Sequence, residues 1–327
     1  MNLHHPPGRP LFPTSWDSTM VAAFRACPHK AFRQYIQHYK PRGQSVHLVA
    51  GGAFAKGVEV ARMSYYEEKL SAEESVALGI QALIGAYGDF VCPPESAKSL
   101  ARTLGALEFY FSQYPLGADG MEPVTFISGR RGIEFSFAEP LPVLHPVTGD
   151  PILYTGRTDM IAHFAGGIYI VDEKTTTALG ASWAKQWDLR SQFTGYIWAS
   201  QQNGIKASGA IVRGISILKT KYDTLQIPTY RSPFEVSRWL HQVCRDIERA
   251  KVMWEEGYWD QSLDGACQDY GGCSFQPVCR SPEPEKWLEV GFQRLVWSPL
   301  DRKELSVEEW ETEHAEALAP QTLLEGF

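Results

Sequence analysis

The sequence predicts an α/β protein: helices first, then strands interleaved with helices, then a cysteine-rich loop and an acidic tail. Three stretches carry that prediction. Residues 50–115 show helical periodicity, broken at 85–94. Residues 152–164 and 167–175 are two apolar runs joined at Ala165-Gly166-Gly167, the composition of a β-hairpin. Cys267, Cys273 and Cys279, each separated by five residues, stand in a loop rich in glycine and proline.

Size and composition bound the rest. A chain of 327 residues that is 44% hydrophobic can bury a core, as one large domain or two closely joined ones. It contains no apolar run of membrane-spanning length, and MNLHHPPGRPLFP lacks the apolar centre of a signal peptide. A cytoplasmic protein with no membrane association is expected, and there six cysteines point to metal ligands or buried thiols rather than disulfides. The net charge of −7 is uneven: residues 281–327 hold four basic and eleven acidic residues, so the body is neutral. Within it, 183–221 carries Lys185, Arg190, Lys206, Arg213, Lys219 and Lys221 against Asp188 alone, a footprint that suits phosphates but also an ordinary solvated surface.

Taken in order, residues 1–14 are Pro-rich and irregular, and 15–120 form a helical region. Ser15 or Ser18 can cap a helix running to Ala26, and Cys27-Pro28 opens a second, aromatic and basic one. The helix GGAFAKGVEVARMSYYEEK contains Glu59 among small and apolar residues, where most glutamates simply face water. VCPPES starts a further helix. Residues 121–260 form the core, entered by the alternating strand Ile133-x-Phe135-x-Phe137. Beyond the hairpin, 182–203 reads as a helix with Gln192 and Tyr196 on one face, 208–219 and 224–229 as strands, and 232–256 as an amphipathic helix. Residues 261–285 are the cysteine loop and 286–327 the acidic tail, with SVEEWETEHAEAL as one exposed helix.

The hairpin carries the chemistry. Each of its strands holds one acid that a buried strand would not normally choose, Asp159 and Asp172. Lys174 follows Asp172 at i+2, so both leave the same face of the sheet. Such a group on an apolar hairpin is costly unless a divalent cation pairs it, and oxygen ligands suit Mg²⁺ or Mn²⁺. The acid-x-Lys pattern itself is weak: it recurs at Glu67-x-Lys69 and Asp301-x-Lys303, both in charged, solvated surroundings. The three loop cysteines need a fourth ligand, from Cys27, Cys92 or Cys244. Their spacing is wider than that of usual zinc pairs and leans towards an iron–sulfur cluster, with zinc as the alternative.

Together these stretches resemble the RecB-like nucleases of the PD-(D/E)xK superfamily, particularly the iron–sulfur branch. That branch includes CRISPR-associated exonucleases, AddB-type nuclease domains and many phage exonucleases. The resemblance spans most of residues 15–280. GGAFAKGVE resembles the first-helix motif and makes Glu59 its acid; GRTD supplies Asp159, VDEKTT Asp172 and Lys174, and QFTGY Gln192 and Tyr196. ACPHKAF resembles the N-terminal cluster motif with Cys27, and CQDYGGCSFQPVC the C-terminal one with Cys267, Cys273 and Cys279. Many relatives carry a histidine where this chain has Ala55, which bears on metal preference. The resemblance implies a restriction-endonuclease-like core, a mixed central sheet flanked by helices. It further implies a metal-dependent exonuclease acting on single-stranded DNA or DNA ends, alone or with recombination, phage or CRISPR partners. Glu59, Asp159, Asp172 and the Glu173 carbonyl would hold metal, Lys174 would act on the water, and Gln192 and Tyr196 would position Lys174 or the strand. Arg157, Lys185 and Arg190 would contact the nucleic acid, with Trp183 and Trp187 as stacking surfaces or, the commoner case, core. A non-catalytic DNA-binding, cluster-bearing subunit is the alternative.

Overall fold

The computed structural model describes residues 10–263, 265–268, 272–300 and 303–313. In chain order it contains β1 (Ser15–Asp17), α1 (Ser18–Ala26), α2 (Pro28–Ala31), a π-helical turn (Phe32–Ile36), β2 (Tyr39–Pro41), α3 (Val46–Tyr66), α4 (Ala72–Tyr87) and α5 (Leu100–Gln113). There follow β3 (Glu122–Pro123), β4 (Ile133–Leu144), β5 (Pro151–Phe164), β6 (Gly167–Thr176), α6 (Ala181–Lys185), α7 (Ser191–Gln202), β7 (Gly209–Ile217) and β8 (Tyr222–Tyr230). The chain continues with α8 (Pro233–Glu256), a 3₁₀ turn (Gly265–Cys267), α9 (Gln276–Arg280), α10 (Pro284–Gly291), β9 (Phe292–Ser298), β10 (Lys303–Ser306) and α11 (Val307–Glu313). It divides into two compact units: residues 1–42, 140–155 and 243–327 form one, and 43–139 and 156–242 the other.

The second unit is a mixed sheet flanked by helices. Its strands run β5-β6-β7-β8, with β3 and β4 also on β5. The β5–β6 and β7–β8 pairs are antiparallel and β6–β7 is parallel. Ala165 and Gly166, both at positive φ, close the β5–β6 hairpin as the two-residue turn that matches strand twist. A parallel neighbour cannot be reached by a tight turn, so α6 and α7 supply the crossover from β6 to β7. Every residue of β7 is buried, as expected of a strand covered on both faces. One layer, α3 and α5, packs its Phe54, Val58, Ala61, Leu107 and Tyr110 with Ile215 and Ile217 of β7. The α3–α4 crossing is close because it is made at glycines: a Cβ on Gly79 would lie 2.5 Å from the Gly57 carbonyl oxygen.

The helix expected over 182–203 is two, because the chain turns at 186–190 where the Arg190 carbonyl accepts the Phe193 and Thr194 N–H groups. The helix expected at VCPPES begins at Leu100 instead, where the Ser99 hydroxyl accepts the Arg102 N–H.

In the first unit, β1 pairs in parallel with Leu153–Thr155, and Asp17, rather than Ser15 or Ser18, caps α1 by accepting the Thr19 and Met20 N–H groups at 2.8 Å. The stretch expected to be an acidic tail contains ordered elements. Strand β9 pairs antiparallel with both β2 and β10, and Leu288 and Phe292 are buried with Phe275 and Val278. Burial of that apolar set outweighs the local excess of acids, of which Glu283, Glu285, Glu289, Glu304 and Glu309 are exposed. The expected helix from Ser306 begins at Val307; its part beyond Glu313 lies outside the described residues. Among the described residues no helix is long and apolar enough to cross a membrane.

Candidate active site

The site forms where the β5–β6 ladder stops. The last paired residues are Met160 and Val171. At the next position the Asp159 carboxylate, rather than a backbone carbonyl, accepts the Glu173 N–H at 3.1 Å. Asp172, Glu173 and Lys174 then continue along β6, and strand alternation sends their side chains to opposite faces.

On one face, the buried Asp172 carboxylate contacts the Lys174 ammonium, whose side chain is one-third exposed. Gln192 of α7 donates to Asp172 Oδ1 at 3.4 Å and to the Tyr196 hydroxyl at 3.1 Å. The Tyr196 ring meets Phe137 edge-on, centroids 5.8 Å apart, and a Cβ at Gly156 would collide with both rings. The expected i, i+4 pair is therefore joined, and Gln192 links α7 to Asp172.

On the other face, Glu173 belongs to a buried network. Arg62 of α3 grips both of its carboxylate oxygens, and the Tyr110 hydroxyl of α5 donates to Oε1 at 2.8 Å. Arg213 of β7 contacts Tyr110, at 3.4 Å, and pairs with Asp119 at 2.7 Å. This bidentate clamp fixes the backbone between Asp172 and Lys174. The Glu173 side chain is thereby taken, leaving its carbonyl for any other role. Arg213, counted above in a basic footprint, is buried.

Electrostatics follow from burial. Loss of water pushes Asp172 up to about 7, although Lys174 opposes the shift. Burial and the neighbouring Glu173 likewise raise Asp159. Burial alone would lower Lys174; Asp172 and Asp159 outweigh it and hold the ammonium at about 12. Burial alone would raise Glu173, but the Arg62 guanidinium reverses the shift and keeps it below the usual carboxylate range.

Glu59 stands apart. It is half-buried on α3, and Oε1 pairs with Lys56 at 2.7 Å. Among the described residues no group of three or more His, Cys, Asp or Glu side chains is arranged to hold a metal ion. What Asp159 and Asp172 offer is two acids of hard oxygens, and Asp172 is underprovided for a buried carboxylate, with one ammonium and one long amide contact. That donor chemistry fits a hard divalent cation.

Arg157 of β5 pairs with Glu134 at 2.7 Å, and Lys185 and Arg190 are exposed on the crossover. Trp183 and Trp187 are buried edge-on against each other at 5.3 Å, so they are core rather than surfaces for bases. Arg62 and Tyr110 were missed in the sequence. Arg62 stands three residues after Glu59 on an apolar helix face, a charge that a core position needs a partner to hold.

In the first unit, Cys27, Cys267, Cys273 and Cys279 line one small enclosed cavity of ≈ 20 Å³ with Phe275. The Ser262 N–H donates to Cys27 Sγ at 3.5 Å, and the Cys273 N–H to the Cys267 carbonyl at 3.0 Å. Burial, then the neighbouring Cys273, Cys27 and Cys267, raises the Cys279 thiol. Cys92 and Cys244 are not among the residues lining it. The four thiols are soft donors that line one cavity, but they are not arranged as a metal-holding group.

The model of the PD-(D/E)XK nuclease superfamily matches residues 18–280. No curated protein sequence matches the chain. Among solved structures, a "Putative exonuclease" from Eubacterium rectale aligns at a TM-score of 0.47 and 14% identity, covering 78% of this chain and 87% of that one. SSO0001 aligns at 0.29 and 14%, covering 61% and 74%. With Asp159, Asp172 and Lys174 gathered at the end of a mixed sheet and the family match spanning that sheet, the chain belongs to the PD-(D/E)XK nuclease superfamily.

Proposed function

We propose that this protein is a divalent-metal-dependent DNA exonuclease acting on single-stranded DNA or DNA ends. The observation that carries the reading is Lys174 against the buried Asp172, beside Asp159, in a chain of this superfamily. Asp159, Asp172 and the Glu173 carbonyl would hold Mg²⁺ or Mn²⁺, with Glu59 swinging from Lys56 to join them. The metal, when bound, activates water and offsets charge on the phosphoryl group and leaving oxygen. Lys174, kept protonated by its two acids, would orient the attacking water and stabilise negative charge gathering on the phosphate. Gln192 holds Asp172 in place from α7, and Tyr196 holds Gln192. Arg157, Lys185 and Arg190 would contact the backbone of the strand.

The test is end-labelled single- and double-stranded DNA incubated with protein purified without oxygen, with Mg²⁺, Mn²⁺ or a chelator. Stepwise shortening from one end in metal alone is expected. Binding without cleavage in either metal would overturn the catalytic reading in favour of a non-catalytic subunit.

The spacing of Cys267, Cys273 and Cys279, and the cavity they line with Cys27, are what favour a structural metal centre, an iron–sulfur cluster by that spacing. Protein isolated without oxygen is expected to carry iron and sulfide. Cys273→Ser should lose that metal and lower the Tm, since binding energy in such a site is folding energy. Tightly bound zinc in a colourless sample would replace the cluster with a zinc site.

A further inference from the structure

Arg231 directly follows β8 and is buried, and every donor of its guanidinium is used. Nε donates to Thr194 Oγ1 at 2.8 Å. Nη1 donates to Thr229 Oγ1 at 2.6 Å and to the Tyr230 carbonyl at 2.7 Å. Nη2 donates to the Trp187 carbonyl at 3.0 Å and to the Arg190 carbonyl at 3.4 Å. All of these acceptors are neutral. The fork therefore ties the end of β8, which is paired through β7 to β6, to the α6–α7 crossover.

Its grip on the crossover brackets one residue. Arg190 and Thr194 lie two positions before and two after Gln192, in the first turn of α7. The same turn is held from α8, where Trp239 Nε1 donates to Ser191 Oγ at 2.8 Å. Helix stability does not account for this arrangement. The first turn of α7 has no side-chain cap and no acid, and a cation beside the positive end of a helix dipole is unfavourable. What the fork fixes is position. Gln192 reaches Asp172 Oδ1 at 3.4 Å, near the limit of a hydrogen bond, so a small displacement of α7 would break the contact.

We propose that Arg231 is a positioning residue of the cleavage site: by holding Arg190 and Thr194 it sets the first turn of α7 and so the aim of Gln192 at Asp172. This rests on the nuclease reading of the Asp172–Lys174 site. Arg231 touches neither the acids nor the strand; it acts through Gln192 alone.

The test is a double-mutant cycle on the full chain, comparing wild type, Arg231→Met, Gln192→Ala and the double variant. Three quantities are read: Mn²⁺ affinity without DNA by calorimetry, single-turnover cleavage of end-labelled single-stranded DNA in Mn²⁺, and urea unfolding. Gln192→Ala is expected to lose about tenfold in both affinity and rate, and Arg231→Met as much or less. In the Gln192→Ala background, Arg231→Met should cost no further affinity or rate, while its loss of stability stays the same in both backgrounds. A merely structural arginine would lower affinity and rate by the same factor with or without Gln192. That result, or an Arg231→Met protein equal to wild type in both, would overturn the proposal. Should Arg231→Met not fold, Thr194→Val removes one acceptor of the fork in its place, with the same expected dependence on Gln192. Thr194→Ser, which keeps the hydroxyl, should recover most of what Thr194→Val loses. A wild type that binds Mn²⁺ but cuts no DNA would overturn the nuclease reading alone, since the affinity cycle still decides the role of Arg231. A wild type that binds no Mn²⁺ would overturn both.

Discussion

Asp172→Asn is expected to reduce DNA cleavage by about 10³-fold without weakening the fold. The carboxylate is buried, its charge opposed by desolvation and supported by Lys174 and a long contact from Gln192. Asparagine keeps the shape and the Gln192 contact while losing the charge a metal requires. The pH dependence carries the same sign. Asp172 has its folded pKa raised to about 7, so the folded chain holds a proton that the unfolded chain releases near pH 4 (~4 for a free aspartate). Its contribution to stability is therefore full below about pH 4 and is lost as pH rises through about 7. Thermal melting of metal-free protein at several pH values checks this: wild type should lose stability across that window and Asp172→Asn should lose less. Cleavage should rise over the same window, because the acid must lose its proton to bind metal.

Arg62→Ala is expected to be the most destabilising single change, costing about 3–5 kcal/mol. Arg62 is buried, grips both oxygens of the equally buried Glu173, and donates to Tyr110 at 3.1 Å. Removing it strands a carboxylate in a core that cannot solvate it. Glu173, whose folded pKa is depressed, contributes stability present above its unfolded pKa and lost as pH falls; without Arg62 that contribution disappears and the carboxyl protonates. Urea unfolding reads the loss as a lower midpoint with little change in slope. The double change Arg62→Met with Glu173→Leu should recover much of it, because no unpaired charge remains. Cleavage should fall in the single variant beyond what stability explains, since the clamp fixes the backbone between Asp172 and Lys174.

The β5–β6 hairpin was legible because its signals are local: two apolar runs, a glycine turn and alternation that places Asp172 and Lys174 on one face. The i, i+4 spacing put Gln192 and Tyr196 on one face, where they do meet, but by itself it favoured a surface glutamine beside a core tyrosine, and their place in the site came from the resemblance. Arg62 and Tyr110 were not legible, because their meaning lies in long-range contacts to Glu173, separated from it by 111 and 63 positions. Arg213 misled: a cation in a stretch rich in cations reads as surface, yet β7 is buried on both faces and Asp119 neutralises it. The tail misled in the opposite direction, since Phe292 and Leu305 are too few to mark buried strands among so many acids.

The most direct measurement of the central claim is cleavage of end-labelled DNA by wild type and Lys174→Ala side by side, in Mg²⁺ or Mn²⁺, with circular dichroism confirming that both are folded. Lys174 makes its contacts at the surface end of the site, so its loss should leave the fold intact and reduce cleavage by about 10²–10⁴-fold. Cleavage by Lys174→Ala at the wild-type rate would contradict the account and move the activity, if any, to another place on the chain.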